Sequence, residues 1–105
     1  MKKIILSADN NLKLYSVPDE VADDLGKYSF EFNQWLFQSP YAEKYRKQGI
    51  SNDKTYIYVV YNEKDFIEYL NQWIFPDNPS VFIENICEFN EKIPDKYAAY
   101  QWYNF

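Results

Sequence analysis

The sequence predicts an α+β fold: a small mixed β-sheet, made of an N-terminal hairpin plus a βαβ unit, with two main helices packed on it. Three observations lead there. Apolar residues recur at helical spacing over residues 19–38 and 62–75. Four short runs, at 2–7, 12–17, 55–61 and 80–87, are rich in β-branched and aromatic residues and are bounded by turn formers. The stretch 61–76, YNEKDFIEYLNQWIFP, has a legible start, face and stop. At 105 residues the chain is long enough for one domain with a real core and too short for two.

The elements follow in order. Strands at 2–7 and 12–17 are joined across Ala8, Asp9, Asn10 and Asn11, residues that tolerate turn geometry. Pro18 opens a helix where its missing N–H is not needed, and Asp19, Glu20, Asp23 and Asp24 complement the positive end of the helix dipole. Val21, Leu25, Tyr28, Phe32 and Trp35 then form one apolar stripe, which predicts a single helix to about Gln38 despite Gly26. Phe30 and Phe37 lie off that stripe, and the expectation is that a second layer sandwiches them. Ser39 and Pro40 start a short helix over 40–47, closed by Gly49, with a loop at 50–54.

TYIYVVY, 55–61, is apolar on both faces and reads as a central strand. In the helix after it, Asn62 is the N-cap, Asp65 completes a capping box, and Tyr61 and Phe66 occupy the staple positions. Phe66, Ile67, Leu70, Trp73 and Ile74 face the core, and Pro76 ends the helix near Phe75. The strand at 80–87 then pairs in parallel with 55–61, giving the βαβ unit. Pro94 begins one helical turn, and the terminal Tyr100, Trp102, Tyr103 and Phe105 dock on the body, since a loose tail would expose too much ring surface.

Composition excludes most chemistry. With no histidine, triads, His-ligated zinc and imidazole acid–base mechanisms are out. Two distant glycines, Gly26 and Gly49, rule out both a P-loop and a GxGxxG fingerprint. Cys87 is alone, which forbids an internal disulfide and fits a reducing compartment; it has no base to activate it as a nucleophile. The N-terminus lacks the apolar core of a signal peptide, and no run approaches the roughly 18 apolar residues of a membrane span. The expected location is therefore the cytoplasm. Net charge is −5, and the only basic cluster is Lys44, Arg46 and Lys47, so direct nucleic-acid binding is not expected.

Carboxylates remain. Glu20, Asp24 and Glu31 flank the second-element stripe, and Glu84, Glu88, Glu91 and Asp95 lie on and after the last predicted strand. A Mg²⁺ site or paired-carboxylate hydrolase would need such groups in a pocket, and spacing shows no pocket. Beside an aromatic share of 21%, the same groups suit binding to a basic, groove-shaped protein. The segments PDEVADDLGKYSFEF and YNEKDFIEYLNQWIFPDNPSVFIENI carry this acidic, Tyr- and Asn-rich character. In it the chain resembles the small inhibitors carried by phages and mobile elements of low-GC bacteria, such as the anti-CRISPR proteins that block type II RNA-guided nucleases. That resemblance implies binding to the nuclease, in its channel or at guide-RNA loading, with no catalysis.

The sequence expectation is thus a non-enzymatic interaction protein with no catalytic residue, metal or cofactor. Its partner-binding residues are Glu20, Asp23, Asp24 and Glu31 for charge, then Glu84, Glu88 and Glu91, with Trp102 and Tyr103 as aromatic anchors. The alternatives are a bacterial protein-binding or homodimeric domain using Phe30, Phe37 or the aromatic tail, and a carboxylate-dependent metal enzyme.

Overall fold

β1, Lys2–Ser7, and β2, Asn11–Val17, form the predicted antiparallel hairpin, in register from Lys2 opposite Val17 to Ser7 opposite Leu12. The computed structural model describes all residues, 1–105. Two later strands extend the hairpin. Val81–Glu88 adds antiparallel to β2, and Gln101–Asn104 adds parallel to β1. Counting in chain order, these are β5 and β6, and the sheet runs β5-β2-β1-β6. The fold is α+β with a mixed four-stranded sheet.

β1 is apolar on both faces because both are covered. Ile4 and Leu6 join Tyr15 and Val17 against the helices. Ile5 turns the other way with Leu12 and Leu14, under Tyr97, Ile93 and Tyr100 of the segment before β6. Each such side chain, fully buried, contributes roughly 1.5–3 kcal/mol. The aromatic terminus docks as its ring content requires: the Phe105 N–H donates to the Ser7 carbonyl, and Phe105 and Tyr103 pack on the core.

The helical layer departs from expectation in one place. Residues 19–38 form two helices, α1, Asp19–Asp23, and α2, Leu25–Gln38, with the break at Asp24 (φ −144°, ψ 54°). The expected weak point was Gly26, which lies inside α2. The break re-aims the chain while Val21, Leu25 and Phe32 stay in one core cluster. Phe30 and Phe37 are not sandwiched: nothing covers them, and Phe30 is 61% exposed.

After Asn62, α3 covers Glu63–Tyr69 and continues as a π-helical turn, Leu70–Ile74. The capping box is present in both directions. Asp65 N–H donates to Asn62 Oδ1 at 3.2 Å, and Asn62 N–H to Asp65 Oδ2 at 2.8 Å. Asn62→Ala is expected to lower stability by about 1 kcal/mol, read as a shift in the denaturation midpoint at unchanged slope. The π turn, closed by Phe75 N–H to the Leu70 carbonyl, changes the angular advance per residue. Phe66, Ile67 and Leu70 are therefore buried, whereas Trp73 and Ile74, expected in the core, stand exposed. Asn71 fastens the following turn, exchanging hydrogen bonds with the Ser80 backbone at 2.6 and 3.0 Å.

The predicted βαβ unit does not form. β3, Arg46–Ser51, and β4, Lys54–Val59, make a separate two-stranded antiparallel ribbon, and β5 pairs with β2 instead of β4. The expected helix at 40–47 is a 3-10 turn, Pro40–Tyr45, capped by Ser39 Oγ on the Tyr41 N–H. Gly49, expected to stop that helix, lies inside β3. The physical reason is the turn at Asn52 and Asp53, both with positive φ (51° and 62°), a two-residue hairpin turn whose twist matches paired strands. It hands β4 a local partner before any long-range pairing is needed.

Candidate functional site

The ribbon formed by β3 and β4 is an arm. Its radius-of-gyration signature is plain: the chain has a value of 15.2 Å, against about 13 Å for 105 residues in one compact body. The long dimension is 50 Å and the short one 19 Å. Six-residue strands give the arm a length of about 20 Å.

Pairing fixes two chemically different faces. Lys47 lies opposite Tyr58, Gly49 opposite Tyr56 and Ser51 opposite Lys54, so one face is two tyrosines between lysines. The Tyr56 and Tyr58 rings are 5.9 Å apart. Tyr56 folds across Gly49, where a Cβ would stand 2.3 Å from the ring, so only glycine admits this packing. The other face is aliphatic, with Gln48 opposite Ile57, Ile50 opposite Thr55, and Val59 at the root. Ile50 is 79% exposed and Ile57 56%.

The root is fastened firmly. Arg46 Nη1 donates to the carbonyls of Leu36 (2.9 Å) and Ser39 (2.8 Å) at the end of α2, where the helix dipole favours a cation. Val60 N–H donates to the Tyr45 carbonyl, and Tyr45 and Val59 pack on the core. Beside the root lies an aromatic shelf. Tyr41 and Trp73 have ring centroids 4.6 Å apart, both are exposed, and Trp35 continues behind them at 6.4 Å from Trp73.

A second feature lies where α3 crosses the β5 edge. Lys13, Tyr15, Lys64, Ile67, Phe82 and Asn85 line a cleft of about 540 Å³. Beneath it Lys13 Nζ contacts Glu63 Oε1 at 2.5 Å, with Glu63 only 3% exposed at the start of α3. The pair fixes the helix on β2. Burial, followed by the Glu63 charge, pushes the Tyr15 hydroxyl up to about 12 from 10.0. Because the unfolded chain ionises first, the contribution of this hydroxyl is fully present below about pH 10 and is lost as pH rises towards 12. Burial moves Tyr45, Tyr61 and Tyr69 in the same direction. Tyrosinate absorbance should therefore rise together with unfolding between pH 10 and 12; a titration finishing near pH 10 with the fold intact would contradict it.

The residues singled out from sequence fall into separate groups. Glu20, Asp23 and Asp24 lie at the end of the sheet marked by Lys2 and Val17, whereas Glu88 and Glu91 lie at the end marked by Ser7 and Asn11. Asp23 is engaged by Lys2 at 2.5 Å, and neighbouring Asp19 by the N-terminal ammonium at 3.0 Å. Glu31 is half-buried on α2. Glu84 accepts from the Tyr97 hydroxyl at 2.5 Å, and Glu91 accepts from the Glu88 N–H. Trp102 donates to Ser7 Oγ and touches Phe89 with its outer side exposed, whereas Tyr103 is a core-packing ring against Phe105. No group of three or more Cys, Asp or Glu side chains is close enough to hold a metal ion. No helix is long and apolar enough to cross a membrane.

Sequence reading missed Ile50, Tyr56, Ile57 and Tyr58 as surface residues. The signal was present in Asn52-Asp53, two turn formers between two strand-like runs. No protein-family model, curated protein or solved structure matches the chain.

Proposed function

We propose that this chain is a non-enzymatic interaction protein that engages a protein partner through the β3–β4 arm and the Tyr41/Trp73 shelf at its root. The observation that carries the reading is the arm itself: a ribbon apolar on one face and Tyr/Lys on the other, anchored at its root by Arg46 and Val59 and exposed beyond it. Soluble monomers rarely leave so much contiguous ring and aliphatic surface in water, and such patches mark binding sites. Tyr and Trp are also the side chains that anchor interfaces. The pairing of Asp23 with Lys2 shifts the weight of the site from the acidic α1 to the arm, with Glu84, Glu88 and Glu91 as the acidic component.

In its concrete form the chain is a phage or mobile-element inhibitor acting in the host cytoplasm on a nucleic-acid-handling enzyme, an RNA-guided nuclease being the first to test. The experiment adds the chain to a type II nuclease before or after guide loading and measures DNA cleavage. Inhibition by the wild type, lost in Tyr56→Ala/Tyr58→Ala, supports the reading. Undiminished cleavage in both orders of addition sinks the nuclease version, and inhibition unaffected by the double variant sinks the arm version.

A further inference from the structure

The arm and the β5 edge of the sheet match each other. A two-stranded ribbon alone is marginal in water and gains stability from a third strand or a packed face. The arm has neither, and both its outer edges present unpaired backbone groups. β5 pairs on one side only and exposes Val81, Phe82 and Ile83. An open edge with apolar side chains is a template for another strand. Register shifts opposite Leu12/Lys13 and Leu14/Tyr15 bulge β5 but leave it without the lysines or prolines that blunt such edges.

The two surfaces are also complementary in chemistry. The arm, residues 46–59, holds Arg46, Lys47 and Lys54 against Asp53, a net +2; β5 holds Glu84 and Glu88, a net −2. Phe82 lies on the helix side of the sheet with Tyr15 and Ile67, lining the cleft described above, and Glu84 lies on the opposite side beside Tyr97. A strand laid along β5 with Ile50 and Ile57 over the cleft would turn Lys47 and Lys54 towards Glu84. Within one chain the arm is rooted at the end of α2 and pairs with no strand of the four-stranded sheet, which leaves the edge to a second copy.

We infer that two copies of this chain associate by reciprocal arm exchange, the β3–β4 arm of each adding to the β5 edge of the other. The inference rests on the reading of the arm as the binding element and names a second copy as the occupant of its aliphatic face. Each copy contributes 14 arm residues and the eight of β5, 22 in all, within the roughly 20–30 residues a side of a stable interface. The contact is isologous and closes at two.

The test is molar mass by light scattering on the eluting full-length chain at micromolar concentration. The wild type is expected at about 25 kDa, twice the 12.7 kDa chain. Ile50→Lys/Ile57→Lys on the arm and Ile83→Lys on the edge should each give monomer with an unchanged far-ultraviolet circular dichroism spectrum. Mixing the arm variant with the edge variant should restore a dimer, because one intact arm then meets one intact edge. A wild type that elutes as monomer overturns the inference, as does a dimer indifferent to Ile83→Lys, which would mean arm-to-arm pairing. Monomeric wild type that still inhibits a nuclease leaves the proposed function standing; a dimer that binds no other protein leaves arm exchange standing and removes that function.

Discussion

Phe32→Ala is expected to lower stability by about 3–5 kcal/mol, the largest effect of any single truncation in this chain. Phe32 is fully buried on α2, and its ring centroid lies within 6.2 Å of those of Trp35, Tyr61, Phe66, Tyr69 and Phe105. Its ring touches α3, the chain terminus and the β4–α3 junction together. Removing it leaves a void lined by rigid rings that relax poorly, so the cavity adds to the lost transfer free energy. For a domain of ordinary stability, about 5–15 kcal/mol, that is roughly a fifth of the total or more. Urea denaturation followed by tryptophan fluorescence measures it. A loss under about 1 kcal/mol would mean the aromatic cluster is not the core.

The second large effect is at the Lys13–Glu63 pair, and it should be asymmetric. Lys13→Met strands the Glu63 carboxylate at 3% exposure and is expected to cost roughly 3–5 kcal/mol. Glu63→Leu strands Lys13, whose side chain keeps 19% of its surface in water, and should cost about 2–3 kcal/mol. The double variant is expected to lie closer to wild type than Lys13→Met does, since no unpaired charge is left in the interior. Denaturation midpoints of the three variants check this. Additive losses would show that the two side chains do not compensate each other.

Local signals in the sequence were read with success wherever local chemistry decides structure. The Asn62/Asp65 box, the β1–β2 hairpin, the Ser39 cap before Pro40 and the 3-10 turn after Pro94 all depend on neighbours within a few residues. The misreadings share a different cause. A run such as TYIYVVY looks the same whether a sheet or nothing in its own chain covers it, because periodicity reports which side chains avoid water and not what they meet. The single apolar stripe from Val21 to Trp35 is likewise compatible with one helix or with two joined at Asp24. Trp73 and Ile74 keep helical spacing in sequence but leave the core because the backbone widens into a π turn. For the site, the carboxylates were visible as a composition and their division between the two ends of the sheet was not. That division is set by the pairing of β5 with β2, a contact about seventy residues apart in sequence.

The ribbon of residues 46–59 stands outside the core while the sheet and helices hold together without it, and the rest follows from that arrangement. Amide hydrogen exchange on the Ile50→Lys/Ile57→Lys chain measures it most directly. Amides of β3 and β4 are expected to exchange orders of magnitude faster than those of β1 and β2, whose opening requires global unfolding. Protection of the arm equal to that of β1 would contradict the account, because it would place Tyr56, Ile57 and Tyr58 in the core of their own chain.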